Sequence, residues 1–297
     1  MFISQGFTKE NPFWKYLIGS LLVIIASTIG QVPLFIFTFI KSATLPEGTS
    51  TNFYKLFDSN LLLFLMLMSF VFGLLGLYLV VKKYHNQSFI SLITSRFKVD
   101  WHRFFVSFTI WAIISIIMIL GQFLAATEHI KVQFQLYPFL ILFLISVVLI
   151  PIQTSMEELL FRGYLMQGFY NLSQNKWFPL VMTSLLFGLL HIANPEIEKL
   201  GYSILIYYIG TGFFLGIITL MDEGTELALG FHAANNLIAA LLITSDFTVF
   251  QTHSVFKDYS EPNLNLEAFF PVFVLFPLLI YVFSKIYKWK NWNEKLI

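Results

Sequence analysis

The sequence predicts an all-α fold, a polytopic membrane helix bundle with about eight transmembrane helices. Three observations predict it. Of 297 residues, 57% are hydrophobic and only 12% charged, whereas a soluble domain carries roughly 25% charged residues. Apolar runs long enough to span a bilayer recur from end to end, with a mean hydropathy of +0.74. The few ionisable groups inside those runs are gathered at three places, and charges at bilayer depth cost several kcal/mol unless paired or hydrated.

A hydrocarbon core of about 30 Å takes roughly 20 apolar helical residues. On that basis the candidate spans lie near 14–40, 58–81, 104–126, 137–160, 177–194, 201–221, 226–243 and 267–287. The first is long and holds Gly30 and Pro33, so a kink or steep tilt is expected. The fifth and seventh are short, which suits helices packed inside a bundle. The polar lead from Met1 to Lys15 contains both Lys9 and Glu10, and no short apolar core with a cleavage site follows it, so the first run is expected to remain as a span. Residues 1–297 are read as one integral membrane domain without repeats or low-complexity tracts.

Lysine and arginine set the orientation. The loop after the second span holds Lys82, Lys83, Arg96, Lys98 and Arg103, and the C-terminal tail adds Lys285, Lys288, Lys290 and Lys295. Basic loops stay cytoplasmic, so both termini are expected there, in the inner membrane if the chain is bacterial. Phe89, Ile90, Leu92, Ile93 and Phe97, interleaved with the basic cluster, fit either an ordinary cytoplasmic loop or a segment lying on the inner leaflet. The loops at 41–57 and 244–266 are expected to be extracytoplasmic connectors. Trp101, Trp177, Trp289 and Trp292 fall at span ends, as interfacial anchors do.

A net charge of +1 argues against a nucleic-acid partner, which needs a concentrated basic face. The absence of cysteine removes disulfides, a thiolate nucleophile and cysteine-ligated zinc.

The first polar island is Ser155-Met156-Glu157-Glu158-Leu159-Leu160-Phe161-Arg162-Gly163, which follows an uncharged run from Tyr137 to Ile152. On a helix Glu158 and Arg162 share a face and can pair, whereas Glu157 is turned about 100° away. A partly desolvated carboxylate outside that pair suits a general base acting on water. The other two islands are Phe187-x-x-x-His191 and His232-x-x-x-Asn236. The last places an imidazole and a carboxamide on one helix face. Taken singly, each island is also explained by packing, helix-end bonding or hydrogen bonds between helices.

In this order the three islands resemble the motifs of the CAAX-protease and bacteriocin-processing family of intramembrane endopeptidases, also called the ABI family. The resemblance covers 150–243, where all three motifs are intact, with Gly163-Tyr164 following the first. It implies an eight-helix bundle and a catalytic set of Glu157, His191, His232 and Asn236. Glu157 would activate water against a peptide carbonyl, His191 would assist at that water or bind a metal, and Asn236 would stabilise the oxyanion. Glu158 and Arg162 would be the supporting pair. Glu157, His191 and His232 match a common catalytic zinc set and equally suit a metal-free glutamate–histidine site, so zinc stays open.

The expected substrate is a membrane-associated protein or peptide. The family's eukaryotic members cut after a prenylated cysteine, and a bacterial chain could instead take a bacteriocin leader or another peptide. Two other classes share the composition: a non-catalytic scaffold or bacteriocin-immunity protein, and a transporter with buried proton-relay groups. One position fits poorly. The loop charges put Glu157 and His232 near the cytoplasmic side, whereas His191 lies about 18–21 Å along its helix. The three meet only if the fourth helix extends or breaks so that Glu157 sits deeper, with Pro151 offering such a break, if the fifth begins before Trp177, or if the span boundaries shift by a few residues.

Overall fold

The structure is a computed structural model that describes residues 1–44, 53–264 and 266–297. The expected connector at 41–57 therefore lies partly outside the described residues.

All eight apolar runs form helix. Five of these helices, Phe13–Ser42, Ser59–Tyr84, Trp101–Ala125, Leu136–Ser173 and Tyr202–Asp222, are long and apolar enough to cross a membrane. Three apolar helices are shorter, Trp177–Ala193, Glu226–Leu242 and Pro271–Ile286. Length and composition thus mark five crossings among the described residues rather than eight. The Phe13–Ser42 helix runs unbroken through Pro33.

Local chemistry explains several boundaries. Asp58 caps its helix by accepting from the backbone N–H of Asn60 at 3.0 Å and of Leu61 at 3.3 Å. Asp100 accepts from His102 N–H at 3.2 Å at the start of the Trp101–Ala125 helix. Gln174 and Glu223, with φ of 56° and 58°, close the Met166–Ser173 and Leu205–Asp222 helices in the left-handed conformation.

The Glu226–Leu242 helix is the centre of the bundle, packed between Trp101–Ala125 and Leu136–Glu158. Gly230 permits this: any side chain there would collide with the carbonyl oxygen of Phe104 on the neighbouring helix. Trp111, Phe214, Phe231 and Phe276 form the main aromatic core beside it. The outward faces are apolar instead, with Leu21, Ile24, Phe35, Leu144 and Val148 all exposed, as lipid-facing positions are. Glu158, Arg162, Gln167, Thr183 and Ser184 are fully buried, so the polar groups are inside.

Both chain termini lie at one end of the bundle and meet at Glu223. The N–H of Phe2 donates to its Oε2 at 2.5 Å, and Lys295 pairs with its Oε1 at 3.5 Å. The basic loop folds onto the same end. Arg96 pairs with Asp222 at 3.1 Å and Glu226 at 3.3 Å, Arg103 also pairs with Asp222, and Leu92 is wholly buried. Phe97 is left fully exposed.

Three short strands lie elsewhere: β1 (Ile130–Val132), β2 (Ile243–Ser245) and β3 (Phe256–Asp258), in the order β1-β3-β2. β1 and β3 are antiparallel, with Ile130 opposite Asp258, while β2 and β3 are parallel, with Ile243 opposite Phe256. The 244–266 connector is therefore partly ordered by a sheet.

Candidate active site

The fourth helix does not stop near 160. Pro151 sits inside a continuous Leu136–Glu158 helix, which passes into a π-helical stretch, Leu159–Leu165, and on to Met166–Ser173. Wide turns of this kind occur preferentially at functional sites. This extension removes the depth conflict. Glu157 lies about 24 Å from the helix end at Ser173 and His191 about 21 Å from Trp177, at ~1.5 Å per residue on either side of the Gln174–Lys176 turn. Of the expected alternatives, extension of the fourth helix is the one present, and Pro151 does not break it.

Within the π stretch, Gly163 lets the backbone approach the Leu92 carbonyl, which a Cβ would reach at 2.7 Å. One position earlier, Arg162 Nη1 donates to Glu158 Oε1 at 2.9 Å, with both side chains wholly buried. The guanidinium also donates through Nη2 to the Gly212 carbonyl at 3.2 Å and lies 4.3 Å from the centre of the Phe187 ring. A carboxylate, a carbonyl and a ring face thus surround a charge that the apolar interior would otherwise expel.

His232 approaches from the central helix. Its Nδ1 is 2.7 Å from Glu158 Oε1, the oxygen that Arg162 also engages. A carboxylate can only accept, so Nδ1 carries the hydrogen and Nε2 is turned toward Glu157. The separation from Nε2 to Glu157 Oε2 is 3.6 Å, too long for a direct hydrogen bond. Glu157 is the more accessible glutamate, with 17% of its side chain exposed against none for Glu158. Its other oxygen, Oε1, accepts from Gln153 Nε2 at 2.8 Å. Gln153 Oε1 in turn accepts from Asn236 Nδ2 at 3.0 Å.

His191 begins the turn after the Trp177–Leu190 helix. Its Nδ1 donates to the Phe187 carbonyl at 2.7 Å, which leaves the Nε2 lone pair outward. The ring stacks on Tyr208 at 4.2 Å. Phe187 stands between the two histidines, 4.8 Å from His191 and 5.9 Å from His232 between ring centres. His191 is within electrostatic range of Glu157, His232 and Arg162. The structure therefore joins Glu157, Glu158, Arg162, His232 and Asn236 through hydrogen bonds or ion pairs and sets His191 beside them across Phe187.

Among the described residues, no three His, Asp or Glu side chains are spaced to hold one metal ion. As placed, Glu157, His191 and His232 do not close into a zinc cage, and the Nδ1 of each imidazole is already engaged.

Sequence reasoning missed Gln153. The available signal was its place four residues before Glu157, at the edge of an otherwise apolar run. Past His191, residues Ile192, Asn194, Glu198 and Tyr202 border a cavity of about 710 Å³. Next to it, burial pushes the Glu196 carboxyl above the usual carboxylate range, partly offset by the Val249 N–H donated to it at 3.0 Å.

Residues 133–238 match the family model described as type II CAAX prenyl endopeptidase, Rce1-like. Over those residues the chain is similar to an Rce1-like domain. That stretch contains every member of the site built above, from Gln153 to Asn236. Together with five membrane-length helices the similarity makes this an integral membrane protein. The chain is also 29% identical over 268 residues to a Bacillus subtilis (strain 168) protein described as the uncharacterized protein YyaK, covering 89% of each. No solved structure matches the chain. The Rce1-like domain is of the family that the three motifs resemble, and it supports a membrane endopeptidase of CAAX-protease type.

Proposed function

We propose that this protein is a glutamate-dependent intramembrane endopeptidase that cleaves a membrane-associated protein or peptide. One observation carries the reading. Glu157, the accessible carboxylate, faces His232 Nε2 across 3.6 Å inside a lipid-embedded bundle, while Glu158 holds the opposite side of that imidazole.

In this mechanism Glu157 Oε2 takes a proton from water as its oxygen attacks the scissile carbonyl. His232, fixed by Glu158, presents its Nε2 lone pair beside Glu157 Oε2 and accepts the second hydrogen of a water resting against both groups. His191 offers its Nε2 lone pair as the alternative acceptor for that water's second hydrogen. Asn236 spends one amide hydrogen on Gln153 and has a second for the developing oxyanion. Glu157 then passes its proton to the departing amine, which balances the hydrolysis. No step runs through zinc, since the side chains as placed do not converge on one ion.

The cytoplasmic position of both termini belongs to the same proposal. It is supported by their convergence at one end of the bundle beside Arg96, Arg103, Lys288 and Lys290. The cavity next to His191 is then the approach for a substrate segment on the opposite side.

The test uses the full chain in liposomes with an internally quenched, farnesylated peptide of CAAX type, the substrate class in the matched family's description. Cleavage by wild type and its loss in Glu157→Gln are the expected results. Folded Glu157→Gln protein cleaving at the wild-type rate would overturn the proposal, and a wild type that cleaves neither this probe nor unprenylated membrane peptides would favour a scaffold.

A further inference from the structure

Four hydrogen bonds run in one direction into Glu157, and they begin outside the Rce1-like stretch. Trp111, on the Trp101–Ala125 helix and 3% exposed, donates from Nε1 to Asn235 Oδ1 at 3.0 Å. Asn235 Nδ2 donates to Asn236 Oδ1 at 3.0 Å. Asn236 Nδ2 donates to Gln153 Oε1 at 3.0 Å, and Gln153 Nε2 donates to Glu157 Oε1 at 2.8 Å.

The chemistry of the two ends sets the direction of the row, since the Trp111 indole can only donate and the Glu157 carboxylate can only accept. A carboxamide can present either its oxygen or its nitrogen to a neighbour, so a row of three amides between two groups has two self-consistent orientations. An indole N–H has no such choice, because it only donates. Facing it, Asn235 must offer Oδ1. Its Nδ2 then faces Asn236, whose oxygen must turn to meet it. The same constraint passes to Gln153, whose nitrogen is left to face Glu157. Without a donor at Trp111 only the carboxylate end holds this order, and Asn235 is free to turn. The ring is held firmly, packed on Phe231 with 4.4 Å between ring centres.

We infer that Trp111 is a positioning residue for the proposed peptidase site, acting through Asn235, Asn236 and Gln153. Through the three amides it keeps Glu157 Oε1 hydrogen-bonded and so aims Oε2 at His232. It also fixes which face of Asn236 carries the spare N–H, linking the base and the oxyanion donor to one upstream donor. Hydrogen bonds aligned head to tail polarise one another, which favours the arrangement as a unit. The inference rests on the proposed function for its catalytic consequence, whereas the orientation of the amides stands without it.

The experiment compares wild type, Glu157→Gln, Trp111→Phe and Asn235→Asp in the full chain, with the farnesylated peptide as probe. Trp111→Phe keeps an aromatic ring and loses the donor together with part of the buried indole volume, whereas the next variant leaves that packing intact. Asn235→Asp keeps the acceptor for Trp111 and loses the onward donor. Each is expected to lower kcat by about tenfold with KM nearly unchanged, and the double variant to be no worse than either single one, as members of one pathway behave. A tryptophan that serves only packing predicts a wild-type kcat for Asn235→Asp. If Glu157→Gln is inactive while Trp111→Phe and Asn235→Asp keep the wild-type kcat, the relay is overturned and the peptidase reading survives. A readout free of catalysis covers the opposite case. The indole N–H resonance of Trp111, assigned by its disappearance in Trp111→Phe, is expected to shift in Gln153→Leu. An unmoved resonance overturns the relay whether or not any peptide is cut.

Discussion

His232 donates through Nδ1 to Glu158 Oε1 at 2.7 Å, and that carboxylate oxygen is also engaged by Arg162. One glutamate therefore neutralises a buried guanidinium and orients an imidazole, which leaves its sequence neighbour Glu157 free of both duties. Adjacent carboxylates thus acquire different environments on opposite sides of one helix turn.

Replacing Glu157 by the isosteric Gln should reduce kcat by about 10²–10⁴-fold, the usual worth of a general base. The thermal midpoint should stay near wild type, because Gln can still accept from Gln153. Single-turnover cleavage alongside a melting curve reports both quantities.

Removing Arg162 is expected to act on stability instead. Arg162→Met leaves Glu158 buried without its cation, at a cost of about 3–5 kcal/mol. The doubly neutral Glu158→Gln/Arg162→Met protein should recover part of that loss, since no charge is then left buried. Unfolding in detergent, followed by tryptophan fluorescence, would detect the difference, and a single variant as stable as wild type would contradict the pairing.

Asn236→Leu should lower kcat by about 10²–10³-fold, as loss of an oxyanion donor does. Asn236→Asp should be similarly poor, since it offers no amide hydrogen to Gln153 or to substrate. A large rise in KM with kcat intact would point to substrate binding instead.

Prolonged treatment with a zinc chelator should leave the cleavage rate unchanged, and metal analysis of the purified protein should give less than stoichiometric zinc. Loss of activity reversed by added zinc would require Glu157, His191 and His232 to draw together in the working enzyme.

His85, just past the Ser59–Tyr84 helix, offers a prediction about pH. Burial, reinforced by nearby Lys15, pushes its pKa down from 6.5 to about 4. Below pH 6.5 the unfolded chain takes up a proton that the folded one refuses, so this contribution is complete above 6.5 and lost progressively toward pH 4. Melting temperatures across that window should fall less steeply in His85→Gln.

Much of the bundle was legible because hydropathy is a strong signal: each of the eight apolar runs is a helix. The Glu158–Arg162 pair was equally legible from its spacing. The far end of the fourth helix was not, because Gln167, Asn171 and Gln174 end the apolar run while helix continues among polar partners. Gln167, for example, donates to the Ser91 carbonyl at 2.8 Å. Nor could spacing reveal that Gln153, Asn235 and Trp111 form one row, since they come from three helices and amides carry no charge to mark them. Strands of three residues, such as β1, are too short for alternation to show.

The intrahelical pairing of Glu158 with Arg162 also bears on how the protein is made. Arg162 lies one turn beyond Glu158, whereas His232 lies 74 residues further along the chain. When the fourth segment leaves the translocon, the cation and anion can already cancel within their own helix, and the imidazole arrives only with the third segment after it. A nascent chain truncated before residue 226 should therefore still integrate that segment, and one carrying Arg162→Met should stall or be cleared.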